Sequence, residues 1–186
     1  MWKNTLLMPK ANPKINNTKA GRKKKNLSDF GEIYGKLSQN TLMGIIVSEW
    51  NNEITEALCK GTVDTLIKHK IKKSNILIHY VPGSFELPLG AQYLIENSKV
   101  DAVICLGCII QGETRHFEFI CQAVSNQISQ LNLDFNIPVI FGVLTTNNYQ
   151  QALERADGKY GNKGVEAAAA AIKMLLLRDR LESEHI

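Results

Sequence analysis

Nowhere in the 186 residues do eighteen apolar side chains run uninterrupted, so no membrane-spanning helix is expected. The lysine-rich beginning also lacks the continuous apolar core and small-residue cleavage site of a secretory signal, which points to a cytoplasmic protein. No internal repeat is visible. Residues 1–28 contain no acidic side chain, yet they hold eight lysines or arginines. Taking those eight from the formal charge of +4 leaves about −4 on the rest, with fourteen basic and eighteen acidic residues. That balance suggests no clustered basic face for nucleic acid, and the tail reads as a solvated, disordered arm.

Cysteine is scarce, and its pattern excludes more than it offers. Cys59, Cys105, Cys108 and Cys121 include one Cys-x-x-Cys, but the run Val103 to Ile110 around it reads as a buried strand. A separation of three along a strand sends the two side chains to opposite faces, with Cα atoms roughly 10 Å apart at about 3.3 Å per residue. That is beyond disulfide reach, and no second ligand pair exists for a metal, so neither a redox role nor a metal site is expected. A P-loop is missing too. The stretch Gly158-Lys159-Tyr160-Gly161-Asn162-Lys163-Gly164 lacks the Gly-Lys-Ser/Thr ending and does not directly follow a strand, which argues against nucleotide hydrolysis.

What is present is enough apolar sequence, 44% of residues, for one substantial core. Residues 1–40 are Asn- and Lys-rich without a sustained period and form an extension; 41–180 form the domain, and 181–186 a short tail. Short apolar runs predict strands near Leu42 to Val47, Ile76 to Val81, Ala102 to Ile110 and Val139 to Leu144. Helical patterns alternate with them. Phe117, Cys121, Val124, Ile128 and Leu131 step by four and three along one stripe. A final helix from about Lys163 to Arg178 carries Val165, Ala168, Ala169, Ile172, Leu175 and Leu176 on one face, and its run of alanines would let a helix or a neighbouring subunit approach closely. The alternation predicts an α/β fold whose parallel sheet of four strands is covered by helices on both faces.

In such sheets chemistry gathers beyond the carboxyl ends of the strands. After the third strand, Gln111-Gly112-Glu113-Thr114 leads directly into the periodic helix, with Thr114 near its N-cap. An anion-binding turn and an ordinary capping turn fit this segment alike. His116 falls in the first helical turn, where it would aim across the strand ends as a proton-transfer group or stand as an ordinary surface histidine. The loop Val81 to Pro88 pairs a stiff turn with Phe85 and Glu86, and Trp50 ends the first strand. These offer ring faces and an acceptor to a flat polar heterocycle, or else belong to the core. Arg155, ahead of the last turn, has the bidentate geometry to clamp a phosphate.

Together, Val-Pro-Gly-Ser-Phe-Glu-Leu-Pro (81–88), Leu-Gly-Cys-Ile-Ile-Gln-Gly-Glu-Thr-Arg-His-Phe (106–117), Pro-Val-Ile-Phe-Gly-Val-Leu-Thr-Thr (138–146) and Gly-Asn-Lys-Gly (161–164) resemble the lumazine synthase family in order and spacing. The resemblance covers about Leu42 to Leu177. It implies a three-layer, flavodoxin-like α/β fold and a transferase that joins 5-amino-6-(D-ribitylamino)uracil to 3,4-dihydroxy-2-butanone 4-phosphate. The product is 6,7-dimethyl-8-ribityllumazine, the penultimate intermediate of riboflavin synthesis, and the family uses no metal or redox cofactor. By resemblance, Trp50 stacks on the pyrimidine, Ser84, Phe85 and Glu86 hold its ring edge and ribityl chain, and backbone at Cys108, Ile109 and Ile110 reads the ring. Glu113 and Thr114 match the phosphate turn, and His116 the proton-transfer histidine. Arg155 matches the phosphate-binding arginine, and Phe141 and Lys163 match residues on the pyrimidine and ribityl side; the family supplies all three from an adjacent subunit. The resemblance also implies a homo-oligomer, a pentamer or a shell of sixty chains, with riboflavin synthase as a further partner. Two residues depart from the pattern: Glu49 and Gln111 stand where family members often carry a base, which lowers the local positive charge expected near the phosphate.

Overall fold

The computed structural model describes Ser28 and residues 31–184. The expectation of a disordered arm over most of the basic extension falls outside the described residues. Nine regular elements follow in chain order: β1 (Met43–Ser48), α1 (Asn52–Lys68), β2 (Ile76–Val81), α2 (Leu87–Asn97), β3 (Ala102–Ile110), α3 (His116–Phe135), β4 (Val139–Thr146), α4 (Tyr149–Ala156) and α5 (Lys163–Ser183). The strands form one sheet in the order β2-β1-β3-β4, and every pairing is parallel. This is the expected flavodoxin-like arrangement. No described helix is long and apolar enough to cross a membrane.

Strand alternation divides the core in two. Met43, Ile45 and Val47 of β1, with Ile104, Leu106 and Cys108 of β3, point into the layer made by α1, α4 and α5. Ile46, Val103 and Cys105 point the other way, against α2 and α3. Cys105 and Cys108 therefore lie in different cores, as their spacing on a strand requires, and all four cysteines are free. On α3, the predicted stripe delivers Val124, Ile128 and Leu131 to the core, while Phe117 and Cys121 stay half-buried near the start of the helix.

Helix α5 packs on both α1 and the sheet. Ala167, Ala168, Ala169 and Ala171 are buried, Ala167 beside Gly142 of β4, and Gly164 brings the α1 and α5 backbones close: a Cβ at Gly164 would lie 2.0 Å from the carbonyl oxygen of Leu58 and 2.6 Å from Thr62 Oγ1. Asn162 fixes the same junction. Its carboxamide oxygen caps α5 by accepting from the N–H groups of Gly164 (2.8 Å) and Val165 (3.3 Å), and its Nδ2 donates to the Ala57 carbonyl at 2.9 Å.

Three boundaries differ from the sequence-based expectation. The last helix runs to Ser183 rather than about Arg178, because Asp-Arg-Leu-Glu-Ser contains no helix breaker. The eight-residue α4, capped by Asn148 Oδ1 accepting from Gln151 N at 2.9 Å, is too short to declare itself by period. Contacts with the domain also begin before Leu42. Ile33 and Leu37 pack on the α1/α5 core, and the Ser28 hydroxyl accepts from Asn162 N at 2.8 Å. Two isolated apolar side chains and one serine form no repeating pattern, so nothing in the composition of that stretch announces them.

The tight α1–α5 junction leads to a stability test. Gly164→Ala is expected to destabilise the fold by about 1–3 kcal/mol or more through overpacking against a main-chain carbonyl. Gly112→Ala, where a Cβ would meet nothing within 4 Å, is expected to leave the denaturation midpoint unchanged. Urea unfolding of both variants beside the parent chain checks this pair.

Candidate active site

The strand order places a gap where the chain reverses direction. From β1 it passes to β2 on one side, then returns to β3 on the other, so the loops after β1 and β3 diverge at their carboxyl ends. A cavity of about 330 Å³ opens there. Its walls are Trp50 and Asn51 after β1, Gly83 to Glu86 after β2, Cys108 to Ile110 at the end of β3, and His116 and Ile120 on α3. Hydrogen bonds tie the rim together: Trp50 N donates to the Pro82 carbonyl at 3.2 Å, and Asn51 Nδ2 donates to the Cys108 carbonyl at 3.0 Å.

Asn51 itself adopts φ 60°, a left-handed conformation that asparagine tolerates better than most residues. The turn it makes leaves the Trp50 ring 72% exposed, and across the cavity Phe85 is 57% exposed. Two aromatic rings left open to this degree are not core, and both offer a face to a planar ligand. Ser84, the buried first residue of a short 3-10 turn, Ser84–Glu86, lines the same cavity. Gly107 makes room for it: a Cβ on Gly107 would come within 2.6 Å of Ser84 Oγ. Among the described residues, Ser84 Oγ is the one buried side-chain polar atom without a hydrogen-bond partner. An unsatisfied buried hydroxyl costs about 1–3 kcal/mol, which a ligand hydroxyl or carbonyl would relieve.

Cys108 also lines the cavity, but burial pushes its thiol up to about 11. It is a neutral thiol at physiological pH and not a nucleophile.

His116 is the first residue of α3 and is exposed at the cavity mouth. Thr114 lies beside the N-cap, as expected. The N-cap itself is Arg115, which makes no side-chain capping bond, and Thr114 Oγ1 takes only the His116 N–H at 3.4 Å. The start of α3 therefore keeps amide donors that no capping side chain satisfies. Glu113 and Thr114 stand exposed in the turn beside the cavity rather than in its wall.

The remaining expected site residues do not reach the cavity within one chain. Phe141 lies on β4, the edge strand beside β3, half-buried against the α2/α3 core. Arg155 ends α4 and Lys163 begins α5. They are drawn together by Glu166, which accepts from Arg155 Nη2 at 2.7 Å and Lys163 Nζ at 3.1 Å. Sequence reasoning did not single out Asn51, Gly83, Ile120 or Glu166. The bond of Asn51 to the Cys108 carbonyl depends on strand order, which no local pattern encodes.

Similarity to known proteins bears on the whole domain. The sequence model of the family described as 6,7-dimethyl-8-ribityllumazine synthase matches residues 40–179. A protein of that name from Cytophaga hutchinsonii is 61% identical over 151 residues, covering 81% of this chain and 94% of the relative. One from Porphyromonas gingivalis is 52% identical over 149 residues, 80% of this chain and 92% of the relative. A third, from Phocaeicola vulgatus, is 48% identical over 161 residues, 87% of this chain and 96% of the relative. With a family match across most of its length and relatives at this level of identity, the chain belongs to the 6,7-dimethyl-8-ribityllumazine synthase family.

Proposed function

We propose that the protein condenses 5-amino-6-(D-ribitylamino)uracil with 3,4-dihydroxy-2-butanone 4-phosphate to give 6,7-dimethyl-8-ribityllumazine, releasing phosphate and water. The observation that carries this reading at the level of the site is the Ser84 hydroxyl, buried and unpartnered in a cavity that the exposed residues Trp50 and Phe85 also line. A flat, polar heterocycle with a polyhydroxyl chain suits that combination: the rings take its faces, Glu86 accepts from its N–H groups, and Ser84 meets the ribityl hydroxyls. Backbone at Cys108, Ile109 and Ile110 closes the floor from the strand end.

The phosphate of the second substrate lies at the Glu113–Thr114 turn, beside the uncapped start of α3. The uracil amine attacks the ketone and loses water to form an imine. Phosphate then leaves by elimination, and the second amine closes the ring with loss of another water. His116, at the cavity mouth, carries protons between these steps. No step requires a metal or a covalent nucleophile. Holding the two substrates in register supplies much of the acceleration, an effect that reaches about 7–11 kcal/mol in favourable cases.

Arg155, Lys163 and Phe141 complete the site from an adjacent subunit. Their separation from the cavity within one chain supports this arrangement. The active form is then a homo-oligomer, a pentamer or a sixty-chain shell working in the cytoplasm, whose product passes to riboflavin synthase. Light scattering of the purified protein separates the two assemblies, about 100 kDa against roughly 1.2 MDa, five or sixty times 20.8 kDa.

Two kinetic tests follow. His116→Ala is expected to slow single turnover without abolishing it, by up to about 10²-fold, and Arg155→Ala to raise the KM for the butanone phosphate by about 10- to 100-fold. A single-turnover rate unaffected by His116→Ala removes the histidine from the mechanism. Co-assembly tests the shared site. Mixing His116→Ala and Arg155→Ala chains equally is expected to restore about a quarter of the sites, one half times one half, whereas activity no higher than either parent variant overturns the intersubunit arrangement.

A further inference from the structure

Glu166 lies one turn into α5, and its carboxylate holds two cations. Oε1 accepts from Arg155 Nη2 at 2.7 Å and Oε2 from Lys163 Nζ at 3.1 Å; the Ser28 hydroxyl lies 3.3 Å from Oε1 but nearer, at 3.1 Å, to the Asn162 carbonyl. The Arg155 and Glu166 side chains are each only 18% exposed, so solvent screens this pair far less than a surface ion pair. Arg155 is held on its other terminal nitrogen as well, where Nη1 donates to the Tyr160 carbonyl at 2.9 Å. Acceptors on two sides therefore fix the plane of the guanidinium.

A guanidinium has five N–H donors in a rigid fork. The two bonds leave three donors whose directions are set before any ligand arrives. The charges are shared unequally too: Arg155 and Lys163 divide one carboxylate, which leaves one net positive charge. The nearby Lys159 does not add to it, because Glu154 takes its ammonium at 2.6 Å.

We infer that Glu166 is a positioning residue of the phosphate subsite, aiming Arg155 at the butanone phosphate while it holds Lys163 beside it. This rests on the proposal that Arg155 is a phosphate ligand. Glu166 itself does not touch the substrate. Two effects of removing it oppose each other: deleting an anion near a phosphate strengthens the attraction, whereas releasing the guanidinium weakens it. The sign of the change in phosphate affinity separates positioning from simple charge.

The test compares Glu166→Ala, Glu166→Gln, Glu166→Asp and Arg155→Ala in the full-length assembled protein. It reads the KM for each substrate and the inhibition constant of inorganic phosphate. Thermal melting and light scattering confirm that each variant is folded and assembled. For Glu166→Ala, the KM for the butanone phosphate and the inhibition constant of phosphate are expected to rise about tenfold, with a smaller change in the KM for the uracil. Glu166→Gln, equally uncharged but keeping an oxygen for Nη2, is expected to stay within about threefold of the parent chain. Glu166→Asp keeps the charge but withdraws it by one methylene, and it is expected to weaken phosphate binding; it also serves where the alanine variant does not assemble. Phosphate binding that is unchanged or tighter in the alanine or aspartate variant overturns the inference. If Arg155→Ala, while assembled, leaves the KM for the butanone phosphate unchanged, the phosphate role of Arg155 fails first and the inference falls with it.

Discussion

The reversal of chain direction between β1 and β3 governs this molecule. In a parallel sheet each crossover carries its helix to one face, so a change of direction puts the flanking crossovers on opposite faces. Here α1 lies on one side of the sheet and α2 and α3 on the other, and the carboxyl ends of β1 and β3 have no helix closing over them. The cavity occupies that break. Its walls are strand ends and the first residues after them, parts of the chain that the sheet's hydrogen bonds hold rigid, and the bond from Asn51 to the Cys108 carbonyl ties the two lips together. A site built in this way positions two substrates through its backbone, which suits a condensation that depends on register more than on reactive side chains.

The distribution of charge follows a similar logic. The cavity contains exposed rings, a serine hydroxyl, a carboxylate and an imidazole, but neither Arg155 nor Lys163 lines it. Those cations are held on the far side of the α4–α5 turn, bound to Glu166 and only partly exposed. A free cation beside the cavity would bind any anion loosely, whereas one locked in place by a carboxylate and a main-chain carbonyl presents donors in fixed directions. Such an arrangement favours a ligand of defined shape over a diffuse counterion. The close contact of α5 with α1 holds this cluster in place, because Asn162 and Gly164 at that junction start the helix that carries both Lys163 and Glu166.

Several features were readable before any coordinates. A buried parallel strand is a continuous apolar run, so Ala102–Ile110 could be delimited to the residue; the edge strand Ile76–Val81 was delimited as closely, although its side chains are half-buried or exposed. The step of three and four along α3 selected Val124, Ile128 and Leu131 for the core. The spacing of Cys105 and Cys108 was enough to send them to opposite faces. Trp50, Ser84, Phe85, Glu86, His116 and the end of β3 do converge on one cavity, but as a group they became visible through family resemblance; the local pattern around each allowed a plainer role. Other features had no signal. Helix α4 has two turns, and Ile33 and Leu37 have no periodic neighbours.

The sequence by itself determined the alternation of strands and helices, the sides on which their apolar residues fall, and the family to which the chain belongs. Each of these is written in periods of two and 3.6 or in long ordered motifs, and short-range sterics and burial enforce them locally. Only the tertiary structure decided that β1 and β3 are neighbours, that Ser84 Oγ is left without a partner, and that Glu166 holds Arg155 and Lys163 together. Apart from the contact of Lys163 with Glu166 three residues on, those facts depend on contacts between residues eleven to more than fifty positions apart, or on the lack of one. Strand order and helix packing set them, and no local pattern of side chains encodes either.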